Sequence, residues 1–163
     1  YRNAVSLIAD RSSPSELFAS GKLLGRPSAG RMSMFFYDPK FKQRLPYYDT
    51  FPLVLPLEPM KGGFIGLNFH YLPYGARFAF LQQLQRFSSN AKFDQSTKIQ
   101  ATYQQVKSNK YVKASIKRYP YSQVRSQFLR VDVNEMALAA YLPVAQFQGA
   151  TLGQVFARSR KTY

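Results

Sequence analysis

The residues able to move a proton, attack a carbonyl or hold a metal are few in this chain of 163 residues. There is one histidine, no cysteine and eight carboxylates. A Ser-His-Asp triad would have to use His70, in the stretch GLNFHYLP, with one of those few acids. Asp38, Asp49, Glu58, Asp94, Asp132 and Glu135 stand at no metal-ligand spacing, so neither two-metal phosphoryl chemistry nor a carboxylate acid/base pair is expected. The glycines of MKGGFIG, residues 60–66, lack the spacing of a phosphate-binding loop and precede a strand, which makes them a turn. Without cysteine there is no disulfide framework and no thiolate site. The chain therefore carries no expected catalytic, metal or cofactor-binding residue, and His70 is expected to be a hydrogen-bonded structural residue.

Cations are plentiful where catalytic groups are scarce. Lys and Arg number 23 against 8 acids, a formal charge of +15, which favours polyanionic partners. Residues 95–131 hold Lys98, Lys107, Lys110, Lys113, Lys117, Arg118, Arg125 and Arg130 with no acid at all. Tyr103, Tyr111, Tyr119, Tyr121 and Phe128 are interleaved with them. Cations neutralise phosphates and exposed rings stack on bases, so this pattern suits nucleic acid. The expected phosphate-binding residues are Lys107, Lys110, Lys113, Lys117, Arg118, Arg125 and Arg130; Tyr111, Tyr119 and Tyr121 are the candidates for base stacking. The competing reading is a solvated basic face whose tyrosines pack inward. No helix-turn-helix, zinc-finger or homeodomain pattern supports specific base readout.

The elements that must position these groups begin with an N-terminal helical arm and loop over residues 1–30. Ser13 caps its helix, Pro14 occupies the first helical position and Glu16 closes a capping box, with the helix running to Ala19 or Leu24. A single α+β domain over 31–148 follows. Its β core, 31–72, takes strands from RMSMFFYDPK, from FPLVLPLEP (an edge strand or one bent at Pro52 and Pro56) and from Phe64 to Leu72. Short Pro and Gly turns between them imply a small antiparallel β meander or an SH3-like barrel with flanking helices. Asp49 is expected to cap the turn or pair with Lys42 or Arg44, beside Tyr47 and Tyr48 covering the barrel end. The helical and basic part, 73–148, places Ala76, Phe80, Leu84 and Phe87 on one helical face and Ile99, Tyr103 and Val106 on another. A last strand, FLRVDV, precedes a short helix capped by Asn134. Residues 149–163 read as a basic C-terminal tail, with FARSRKTY frayed at its end. No run reaches about 18 apolar residues, so no membrane partner is expected. The opening YRNAVSLIAD has no secretory signal and no initiating Met; either processing or missing first residues would account for it.

The block MFFYDPKFKQRLPYYDTFPLVLPLEPMKGGFIGLNFHYLP, residues 34–73, resembles a segment of the DNA end protector proteins of large contractile-tailed, T-even-like bacteriophages. YDPK, LPYYD, FPLV and GFIGLNFHYLP carry the likeness, and weaker similarity continues around Lys113 to Tyr119 and through AAYLP. The resemblance implies a non-catalytic virion protein, present in host cytoplasm during assembly. It would bind the end of packaged double-stranded DNA, shield it from host exonuclease and associate with the portal and neck as one copy or as a homo-oligomer. It brings no catalytic motif to transfer onto residues of this chain. The alternative is a structural subunit of neck, tail or baseplate making mainly protein contacts; a basic RNA-associated protein is supported by charge alone.

Overall fold

The computed structural model describes residues 22–27, 31–88, 112–131, 140 and 145–161. Eight strands are found among them: β1 (Lys22–Leu24), β2 (Ser33–Met34), β3 (Tyr48–Asp49), β4 (Leu53–Met60), β5 (Gly63–Asn68), β6 (Ile116–Pro120), β7 (Phe128–Arg130) and β8 (Phe147–Gln148). Six form an antiparallel sheet in the order β1-β7-β2-β4-β5-β6, and β3 pairs with β8 separately. The expected α+β class and antiparallel sheet are present. The SH3-like barrel alternative is not: β1 and β6 lie at opposite edges, four strands apart, and the sheet stays open. Lys22–Leu24 pair with β7 as a strand, which corrects a helix reaching Leu24. The capped helix start at Ser13, the helix around Ile99 to Val106 and the Asn134 cap lie outside the described residues.

Alternation along the strands separates two apolar clusters, one on each sheet face. Leu53 and Leu55 of β4 join Met34, Leu67 and Leu129 in the larger cluster, while Val54 between them faces Phe35, Phe64, Tyr119 and Phe128. Each such side chain contributes about 1.5–3 kcal/mol when fully buried. Pro56 is where β4 bends: the register with β5 shifts between Pro56 and Glu58, so the residue that cannot donate a ladder hydrogen bond stands at a bulge. Pro52 precedes the strand; β4 pairs with β2 at Leu53 and Val54, and Val54 alone has partners on both sides.

After β5 the chain tightens into a 3-10 turn, Phe69–Tyr71, so the third strand ends at Asn68 and His70 is not on it. Helix α1 (Tyr74–Ser88) then lays Ala76, Phe80 and Leu81 on the larger cluster. The side chains of Leu84 and Phe87 lie outside the described ones. Arg77, 1% exposed, holds this corner together. Its guanidinium donates to the carbonyls of Leu72 (2.7 Å), Ala140 (2.7 Å) and His70 (3.2 Å). It lies 4.7 Å from the Tyr74 ring centroid and 5.7 Å from that of Phe156.

Helix α2 (Leu152–Lys161) occupies most of the segment read as a basic C-terminal tail. Thr151 and Gln154 make the reciprocal bonds of a capping box. The Thr151 amide donates to Gln154 Oε1 at 2.9 Å, and the Gln154 amide donates to Thr151 Oγ1 at 3.3 Å. Val155, fully buried, anchors the helix. Gly149 precedes it at φ +87°, where a Cβ would collide with the Pro46 carbonyl; only glycine lets β8 lie against β3 here.

Candidate nucleic-acid interface

The sequence IKRYP can serve as an edge strand because its charges keep another strand from adding to it. β6 pairs on one side only, with β5, in the register Leu67↔Ile116, Gly66↔Lys117, Ile65↔Arg118 and Phe64↔Tyr119. Its alternation sends Ile116 toward the larger cluster and Tyr119 into the smaller one. Lys117 projects on the same face as Tyr119, opposite a glycine that offers it no side-chain neighbour, and its ammonium rests 4.3 Å from the Tyr71 ring centroid. Burial lowers the pKa of Lys117. Its charge is thus poorly solvated, and neither it nor Arg118 has a carboxylate at ion-pair distance among the described residues.

Across from β6 runs the segment 38–50. Asp38-Pro39 stops the preceding chain, a 3-10 turn forms at Lys42–Arg44, and β3 returns to pair with β8. Between these walls is an open cleft of about 550 Å³. Lys40, Lys117 and Arg118 line it together with the rings of Tyr37, Phe41 and Tyr47. Phe41 at its rim is 57% exposed, with Lys40 Nζ and the Arg44 guanidinium 5.5 and 5.6 Å from its ring centroid. Arg158 of α2 lies 5.2 Å from the Tyr47 ring centroid. Asp49 is the one acid among the described residues lining the cleft.

That acid is withdrawn beneath the floor, 3% exposed. One oxygen accepts from the Phe51 amide at 3.0 Å, closing an Asx turn. The other accepts from Asn68 Nδ2 at 3.1 Å and lies 2.7 Å from His70 Nδ1. A carboxylate only accepts, so Nδ1 of His70 carries the shared proton. Burial by itself would raise the Asp49 pKa, but the charge and hydrogen bond of His70, with the bonds from Asn68 and Phe51, hold it below the ordinary value. The turn-capping role expected for Asp49 is therefore present, while its partner is His70 rather than Lys42 or Arg44. Lys42 pairs instead with Asp38 at 3.1 Å. His70 is buried and hydrogen-bonded, as expected. Its Nε2 is buried without a hydrogen-bond partner, so no described hydroxyl completes a triad with it. Burial raises the Tyr37, Tyr71 and Tyr119 pKa values, keeping their hydroxyls neutral beside the cations.

The candidate binding residues are distributed unevenly around this geometry. Lys117 and Arg118 line the cleft, and Lys113 is exposed in the 3-10 turn Lys113–Ser115 just before β6. Arg125 is exposed nearby, donating to the Ser122 carbonyl at 2.6 Å and lying 3.9 Å from Asp38. Arg130 belongs to β7, separated from β6 by three strands, and is not brought to the cleft. Lys107, Lys110 and Tyr111 lie outside the described residues. Tyr119 is 3% exposed, stacked on Phe64 at 5.4 Å and edged by Phe35 and Tyr37, so its ring has no face for a base. Tyr121 is packed against Phe64 and Phe128 with Arg26 over its ring. At the rim of the cleft the exposed ring is Phe41, which is not among the expected stackers although PKFKQR shows the same interleaving of cations and aromatics sought downstream.

Among the described residues no group of three or more His, Asp or Glu is placed to hold a metal ion, and no helix is long and apolar enough to cross a membrane. A family model described as "Phage T4 terminal DNA protecting protein" matches residues 18–161, spanning both walls of the cleft and α2. No curated protein and no solved structure matches the chain.

Proposed function

The chain belongs to the phage T4 terminal DNA protecting protein family, and from that premise we propose that it is a non-catalytic virion protein that binds the end of packaged double-stranded DNA. Bound there, it shields the terminus from host exonuclease while associated with the portal and neck. The observation that carries the reading is the cleft between β6 and segment 38–50. Lys40 and Lys117 line it beside the exposed ring of Phe41, Arg118 alternates to the other side of β6 at its edge, and the one acid among the described lining residues lies buried and hydrogen-bonded. Phosphates recover for Lys117 the solvation that burial removes, and blocking a terminus requires affinity and coverage with no bond-breaking chemistry. Lys113 and Arg125, exposed on either side of β6 in the chain, extend the positive surface along the DNA.

A second role in contacts with neighbouring virion proteins is favoured by Tyr74 and Phe78 of α1, 38% and 51% exposed. Exposed aromatics of this kind suit a protein interface.

The test is digestion of linear duplex DNA by a processive exonuclease with and without the protein. The proposal expects protection that fades steeply as salt rises, because binding releases counterions from the phosphates. Digestion at an unchanged rate with saturating protein at low salt would sink it.

A further inference from the structure

We propose that the cleft between β6 and segment 38–50 takes a single unpaired nucleotide from the DNA terminus, so that the protein grips the end by opening its last base pair. The inference rests on the end-binding reading above and says what the end inserts.

Volume is the first consideration. The cleft encloses about 550 Å³. That lies within the roughly 300–1000 Å³ of sites that enclose one small molecule, and is far too little for a duplex. Composition is the second. A nucleotide is a flat apolar ring on an anionic phosphate, and the cleft presents flat apolar walls with cations at their margins. Phe41 supplies an exposed ring face at the mouth, Lys40 and Lys117 line the same cleft and can take the phosphate, and Arg118, alternating to the other side of β6, stands at its edge. Ser122 and Gln123, hydrogen-bonded to each other at 3.2 Å and lining the same cleft, bring hydroxyl and amide groups able to meet a base edge. Stacking of this kind tolerates any base, because every base has a π face.

Exposure of Phe41 is the third consideration. Packing against either apolar cluster would have taken this ring out of water, yet it stands at the mouth flanked by two cations. A ring so placed can act as the wedge that stacks on the base pair left behind once the terminal nucleotide is drawn in. The terminus is where this costs least, since a last base pair has one stacking neighbour to lose and an interior pair has two. Selection of ends over the length of the duplex then follows from the cost of opening.

The experiment compares four DNAs of equal length and sequence against the full chain: a covalently closed circle, a blunt linear duplex, a linear duplex carrying a one-nucleotide overhang at each end, and a linear duplex whose terminal base pairs are covalently crosslinked between strands. Affinities are measured at one fixed salt concentration. The inference expects the overhang duplex to bind about tenfold more tightly than the crosslinked one, with the blunt duplex between them. Phe41→Ala and, separately, Lys40→Gln should shrink that difference, and both change exposed side chains, so folding is retained. Equal binding of crosslinked, blunt and overhang ends, all of them above the circle, would overturn the inference and leave end binding standing. Circle and linear DNAs binding alike would remove end binding and this inference together.

Discussion

Arg77 and Phe41 each belong to a cation–aromatic arrangement, and the two have opposite surroundings. Arg77 is sealed between Tyr74 and Phe156 with three backbone carbonyls taking its donors. Around Phe41 the ring is exposed and Lys40 and Arg44 approach it from a surface open to solvent. The residue types are alike, so the types do not decide the role. Saturation does: a cation whose hydrogen bonds are spent on the backbone is a structural tie, and one held beside open aromatic surface is available to a ligand.

Removing the structural cation should have the larger effect on folding. Arg77→Ala leaves buried carbonyls without donors and opens a void, and a loss of about 2–5 kcal/mol is expected in urea unfolding. A loss below about 0.5 kcal/mol, the range of an ordinary surface substitution, would erase the distinction drawn between the two arrangements. Next in size is Asp49→Asn, expected to cost about 1–3 kcal/mol through the weakened network with His70 and Asn68. The same group gives a pH dependence of defined sign. Because the folded pKa of Asp49 is depressed, its contribution is complete above the unfolded value of about 3.9 and is lost as pH falls through the lower folded value. Unfolding midpoints measured below about pH 4 should therefore fall more steeply for the natural chain than for Asp49→Asn.

Substitutions on the open side should spare the fold and change DNA binding. Lys117→Gln and Arg118→Gln should each reduce the slope of log affinity against log salt by about 1. Since burial already disfavours the Lys117 charge, Lys117→Gln is expected to leave stability unchanged or slightly raised, which thermal unfolding checks. Smallest of all is the stability effect of Phe41→Ala, a surface substitution expected to stay within about 0.5 kcal/mol in urea unfolding.

The sequence was informative where periodicity and turn chemistry act locally. Alternation in the β core, the bend at Pro56, the apolar face of α1 and the Asx turn of Asp49 all follow from neighbours within a few residues. α2 was equally legible, since Thr151 and Gln154 spell a capping box, but the basic composition after Gly153 obscured it. The cleft was not legible, because its walls come from segment 38–50 and from β6, far apart in the chain, and meet only through the β4-β5-β6 pairing. Exposure was the other hidden quantity. Tyr119 and Phe41 both stand beside cations in the chain, and only packing shows that the first is inside the smaller cluster and the second is at the surface. His70 as the partner of Asp49 depended likewise on the 3-10 turn that ends β5.

The most direct test of the central claim is exonuclease digestion of a linear duplex protected by the natural chain or by the triple substitution Lys40→Gln, Lys117→Gln, Arg118→Gln, with urea unfolding of both in parallel. The natural chain should hold the ends intact, and the triple variant should lose that protection while unfolding at about the same urea concentration. Equal protection by the two would show that the cleft does not bind the DNA end.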